Sequence, residues 1–140
     1  YCFTDKLYPG VPLLKLHTVT RNKPFVIGDV DVMPIEVMHG KLPIVGFRIR
    51  QLAYITDMKT IADEELAYLE HLDVLVVNAL RIQPHHSHQT LDEAVDFAKR
   101  VGARQTWLIH SSHDIGRHQE VNAALPPDIQ LAYDGQIVSL

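Results

Sequence analysis

The stretch "VLVVNAL", Val74–Leu80, constrains this chain more than any other. It reads as a continuous apolar run, so a strand built from it needs cover on both sides. The next segment of the chain supplies that cover. In "TLDEAVDFAKRVG", Thr90 is placed to cap a helix, Glu93 stands at the capping-box position three residues on, and Gly102 marks the stop. A second apolar run, "TWLIH", begins at Thr106. The pattern predicts neighbouring buried strands at Val74–Ala79 and Thr106–Ile109, with a helix over Leu91–Arg100 packed on them.

Upstream the rhythm is different. "PFVIG" and "VDVMPIEVMH" alternate about Gly28-Asp29, the signature of a hairpin. Further strands are predicted at Leu13–Val19, Val45–Ile49 and Leu52–Thr56, and a helix at Asp63–Leu72 with Leu66, Leu69 and Leu72 on one face. After the second apolar run, "DIGRHQEVNAAL" reads as a short helix and "IQLAYDGQIVSL" as a closing hairpin about Asp134-Gly135. Strands first, then alternating helix and strand, describe an α/β chain: half of a sheet sandwich, with a mixed sheet flanked by helices.

At 140 residues, 46% of them apolar, the chain is one domain with a real core. Thirteen basic against seventeen acidic residues leave a net charge of −4, which disfavours nucleic acid as a partner. Cys2 is the single cysteine, so the chain has no internal disulfide, and any metal is left to imidazole and carboxylate. No apolar stretch approaches the roughly 18 residues of a membrane span. No signal pattern opens the chain, and a reducing cytoplasm is the expected compartment. "YCFTDKLYPG" reads like the middle of a longer protein.

Chemistry gathers at strand ends. His39 ends one strand in "VMHGKLPIVGFRI", Asp57 ends another in "AYITDMKT", His88 closes "PHHSH", and His110 ends "LIH". Imidazole nitrogen and carboxylate oxygen suit a zinc-like ion, and strand ends hold such ligands in fixed positions. Taken singly, each has a blander reading: a histidine more often packs or faces solvent, and Asp57 could cap a turn. His17 and His71 read as structural, His86 as loop filler, and His118 as an exposed helical residue. The joint occurrence at successive strand ends favours a site.

"HGKLPIVGFRI", "YITD", "LRIQPHHSHQTLDEA" and "LIHSSHD" resemble the later motifs of metallo-β-lactamase-fold hydrolases, in the family's order. The phosphonate-operon cyclic phosphodiesterases and their tRNase Z-like relatives are the branch they resemble most, from about Gly28 to the C-terminus. The resemblance implies an αββα sandwich and two divalent metal ions, zinc in the first place and manganese as the alternative. It implies that His39 binds one metal, Asp57 bridges both, and His110 is the last ligand of the second. His88 matches a general acid near the leaving group, with His85 a second candidate because the spacing in "PHHSH" does not choose between them. His113 would orient the site from outside the ligand shell.

The family's opening motif, HxHxDH, is absent. Residues 1–140 are therefore expected to be the C-terminal half of one such domain, inactive when isolated. The full-length protein is expected to hydrolyse a small phosphodiester with a hydroxide held by two metals. A thioester or lactam hydrolase on the same fold, and a non-catalytic half-domain serving binding or assembly, are the alternatives. A half-domain should also expose apolar surface and self-associate, so a homo-oligomer is expected.

Overall fold

The computed structural model describes residues 14–139. Among them, seven strands form one sheet in chain order: β1 (Phe25–Ile27), β2 (Val30–His39), β3 (Leu42–Ile49), β4 (Leu52–Ile55), β5 (Val74–Asn78), β6 (Gln105–Ile109) and β7 (Ile129–Leu131). β1 to β4 pair antiparallel, through the tight turns that Gly28, Gly40 and Arg50-Gln51 allow. From β4 onward every pairing is parallel. Parallel neighbours need crossovers, and the chain provides them with a 3-10 helix, Asp63–Leu69, and two α-helices, α1 (Leu91–Val101) and α2 (His118–Ala124).

α1 forms as its sequence predicts. The Thr90 hydroxyl accepts from the Glu93 amide, the Glu93 side chain accepts from the Thr90 amide, and Gly102 closes the helix at φ 68°. Its inner face, Ala94, Phe97 and Ala98, packs on a core of Ile35, Val37, Ile55, Leu75, Val77 and Leu108. The predicted strand pairs are present in register, with Val76 opposite both Tyr54 and Trp107.

Three expectations are corrected. Residues 14–20 form no strand, and Leu13 lies outside the described residues. Leu14 and Leu16 remain 50% and 74% exposed, because no strand or layer among the described residues covers them. The helix expected at Asp63–Leu72 is a 3-10 helix ending at Leu69. Leucines spaced by three align on the three-residue turn of that helix, so the spacing of Leu66, Leu69 and Leu72 suits it better than 3.6. The closing hairpin is absent: β7 joins parallel to β6, and no return strand succeeds it among the described residues. The turn at Asp134-Gly135 instead closes on itself, with Tyr133 and Gln136 exchanging hydrogen bonds.

Candidate metal centre

The C-terminal ends of β4, β5 and β6 and the end of β2 meet at one sheet edge. β4 ends at Ile55, and Asp57 turns out of it at φ 61°; β6 ends at Ile109, and His110 turns out at φ 58°. Left-handed backbone is uncommon for non-glycine residues and is concentrated at sites the surrounding structure over-determines. Gly40, directly after His39, has φ 63°, and a Cβ added there would lie 3.4 Å from the Ser87 Cβ, so the β2–β3 turn abuts the histidine loop.

His39, Asp57, His88 and His110 converge there. The His39 ring donates from Nδ1 to the Asp57 carbonyl, 2.8 Å away. That leaves its lone pair on Nε2, the arrangement typical of a ligating histidine. His88 Nε2 lies 3.1 Å and His110 Nε2 3.4 Å from Asp57 Oδ1. The His88 and His110 rings stack at 5.0 Å, and the His39 ring stands edge-on to His88 at 4.6 Å. Thr56 donates its hydroxyl to Asp57 Oδ2 at 3.0 Å. One ligand atom from each of His39, Asp57 and His88 lies within 4.8 Å of the other two. Nitrogen and carboxylate donors this close to one another are the chemistry a divalent zinc-like ion takes.

Burial acts to raise the Asp57 carboxyl. Hydrogen bonds from His88 and Thr56, together with the charge of His110 and His88, outweigh it and hold the group below its usual pKa. Asp57 is thus an anion whose field the histidines share. His85 reaches the cluster indirectly: its Nδ1 is 3.1 Å from His88 Nδ1, and Ser87 Oγ stands 3.2 Å from that same nitrogen. Desolvation, then the neighbouring His86 and His88, lower the His85 pKa and favour its neutral form, whose Nδ1 can accept a hydrogen bond from His88.

His113 is not brought to the cluster. Its side chain is 94% exposed and meets Asp114. His118 is exposed on α2 as expected, although its ring also contacts the Leu131 carbonyl at 3.1 Å. Sequence reasoning passed over Asn78, fully buried at the end of β5, whose amide holds the backbone of Met58. A lone polar residue closing an apolar strand was the available signal.

The description "Beta-lactamase superfamily domain" matches residues 2–111, most of the chain and all of the cluster. The chain belongs to the beta-lactamase superfamily. Among solved structures, this superfamily member is similar to a diphosphatase from the PhnP family, at 37% identity and a TM-score of 0.83 over 86% of this chain and 47% of that one. It shares its fold with the metallo-beta-lactamase fold protein YhfI of Bacillus subtilis, at 19% identity and a TM-score of 0.65 over 84% of this chain and 53% of that one. It likewise shares it with the short form of human tRNase Z, at 22% identity and a TM-score of 0.64 over 82% and 45%. A curated octanoyltransferase of Porphyromonas gingivalis is 45% identical over 136 residues, 96% of this chain and 28% of that protein. The superfamily chain therefore spans under a third of that curated relative and about half of the diphosphatase. The fold is that of the metallo-β-lactamases, as the motifs implied, and the superfamily's metal binding has its counterpart in the His and Asp group at the sheet edge. Among the described residues no helix is long and apolar enough to cross a membrane.

Proposed function

We propose that this chain is the C-terminal portion of a metal-dependent phosphodiesterase or diphosphatase acting on a small phosphate ester. The observation that carries the reading is the meeting of His39, Asp57, His88 and His110 about one carboxylate, in a chain 37% identical to a PhnP-family diphosphatase. His39 through Nε2, Asp57 through its carboxylate and His110 through Nε2 are the proposed ligands, zinc the proposed ion and manganese the alternative. Once bound, such an ion supplies Lewis acidity toward the phosphoryl oxygens and lowers the pKa of an attacking water. If Asp57 were to serve two ions, they would require further ligands, which we place in chain beyond this segment, since the segment spans 47% of the diphosphatase.

His88 is the proposed general acid. As an imidazolium it donates from Nε2 to Asp57 and from Nδ1 to neutral His85, so both protons are held before the ester departs. It then gives the Nε2 proton to the leaving alkoxide, and the Nδ1 proton shared with His85 keeps the ring in place. His85 acts as the acceptor that orients His88.

A second reading, thioester hydrolysis or acyl transfer, rests on the octanoyltransferase relative. It is the weaker, because the shared segment is 28% of that protein and an alkoxide leaving group has more need of an acid than a thiolate does. Assay of the full-length zinc or manganese protein against bis(p-nitrophenyl) phosphate and against octanoyl thioester decides between them. Turnover of the phosphodiester alone is expected; turnover of the thioester alone would overturn the first reading.

A further inference from the structure

We infer that Asn78 is a positioning residue, locking the loop that carries Asp57 to the loop that carries His88. The inference rests on the metal reading of the cluster and adds to it a residue whose side chain hydrogen-bonds to Met58 rather than to any proposed ligand.

The sequence "VLVVN" poses the problem. The first four residues of β5 are apolar, and the fifth is an amide with no exposed surface. Burying an amide without partners costs on the order of 2–7 kcal/mol, so a fully buried Asn at the end of an apolar strand needs partners. Both of its polar atoms find them on one residue. Asn78 Oδ1 accepts from the Met58 amide at 2.7 Å, and Nδ2 donates to the Met58 carbonyl at 2.9 Å. Pairing with one N–H and one C=O also fixes which way the amide points, since only this orientation satisfies both.

Met58 comes directly after Asp57, where β4 has ended and the backbone has turned left-handed, so its amide has no strand partner. Its carbonyl takes a second bond, from the Gln89 amide at 3.1 Å, and Gln89 comes directly after His88. One buried side chain thus registers the residue after the proposed bridging carboxylate against the residue after the proposed acid. Leucine could fill the volume, and aspartate could accept, but of the three only asparagine both accepts and donates. Other tethers run on the outside of the same loop: Lys59 to Glu93 at 2.7 Å, with Lys59 20% and Glu93 45% exposed, and the bridge of Met38 to Thr60 beside His39. Asn78 is the tether that water does not reach.

The test uses the full-length protein, stripped of metal and titrated with zinc chloride by calorimetry. Asn78→Ala removes the two bonds and leaves a void, whereas Asn78→Leu removes them and keeps the volume. Residues that orient ligands typically change metal affinity by about 10–100-fold, and both variants are expected to weaken zinc by that factor. Ile129→Ala, a core truncation in β7 distant from the loops, is expected to leave zinc affinity within about twofold while lowering the melting temperature. Recovery of zinc affinity in Asn78→Leu would show that packing, not hydrogen bonding, is what position 78 supplies, and an equal loss in Ile129→Ala would show mere destabilisation; either overturns the inference. Asp57→Ala reports on the metal reading separately. If it and the parent behave alike toward zinc, that reading fails, and the lock is judged by amide hydrogen exchange. Faster exchange at Met58 and Gln89 in the Asn78 variants is expected, and unchanged protection there would overturn it.

Discussion

The sheet has two halves that obey different rules, and β4 belongs to both. On the antiparallel side, β1 to β3 carry Val26 and Ile27 more than 60% exposed, with Leu42 and Val45 also facing water. On the parallel side, four of the five residues of β5 are buried, and α1 covers its core face. The first half adds long hairpin pairing to the few side chains, Ile35 and Val37 among them, that it sends into the core; the second is held chiefly by burial under crossover helices. The proposed site lies where they meet. His39 comes from the antiparallel half, His88 and His110 from the parallel half, and Asp57 from the end of β4, where the direction of pairing changes. In α/β sheets ligands bind outside the carboxyl ends of the parallel strands, which is where Asp57, His88 and His110 lie. One half contributes a proposed ligand on a long hairpin strand; the other contributes its groups on crossover loops.

If the join is the site, breaking it should do more than damaging either half. Asp57→Ala in the full-length protein is expected to abolish phosphodiesterase activity and to remove at least one metal equivalent, read by elemental analysis of the dialysed protein. His88→Ala is expected to slow turnover by roughly 10²–10⁴-fold with metal content kept, since a general acid need not bind metal. His88 stands within ligand reach in the structure, which makes this a sharp test: loss of metal equal to that of Asp57→Ala would reassign His88 as a ligand.

The two halves should also differ in how they tolerate truncation. Leu108→Ala, in the buried part of β6, is expected to cost about 2–5 kcal/mol in chemical denaturation. Val26→Ala, on the exposed edge, should fall within about 0.5 kcal/mol of the parent. Equal costs would mean that the antiparallel edge is covered in solution, as the expected self-association would require. The smallest effect concerns the tie between Lys59 and Glu93. Burial acts to raise the Glu93 carboxyl, but the Lys59 ammonium and the Thr90 amide and hydroxyl hold it below 4.5. A folded-state pKa below the unfolded one gives stability that is present above about 4.5 and fades as the pH falls through the folded value. Glu93→Gln should therefore lower stability slightly at pH 7, by less than about 1 kcal/mol in chemical denaturation given the exposure of the pair, and the difference should vanish in acid.

The same contrast explains what was readable in the sequence. Val74–Asn78, Gln105–Ile109 and the Thr90–Gly102 helix were legible because continuous burial and capping leave local marks. Leu14 and Leu16 carry the composition of a strand but lack a neighbour, and neighbours are not written locally. The β7 hairpin failed for the same reason: the turn at Asp134-Gly135 is real, but Ile137, 89% exposed, has nothing to pair with. In the site, His39, Asp57, His88 and His110 stood out by chemistry and position. Asn78 did not, because its meaning depends on Met58, twenty residues away and one strand over.

The left-handed turns at Asp57 and His110 carry a consequence for anyone engineering this chain. Each holds a side chain where glycine would sit without steric cost, and each forgoes on the order of 1–2 kcal/mol in doing so. A library screened only for heat resistance would then enrich glycine at these two positions. Its winners would be sturdier proteins without two of the proposed ligands, so selection for robustness would erase the proposed chemistry first.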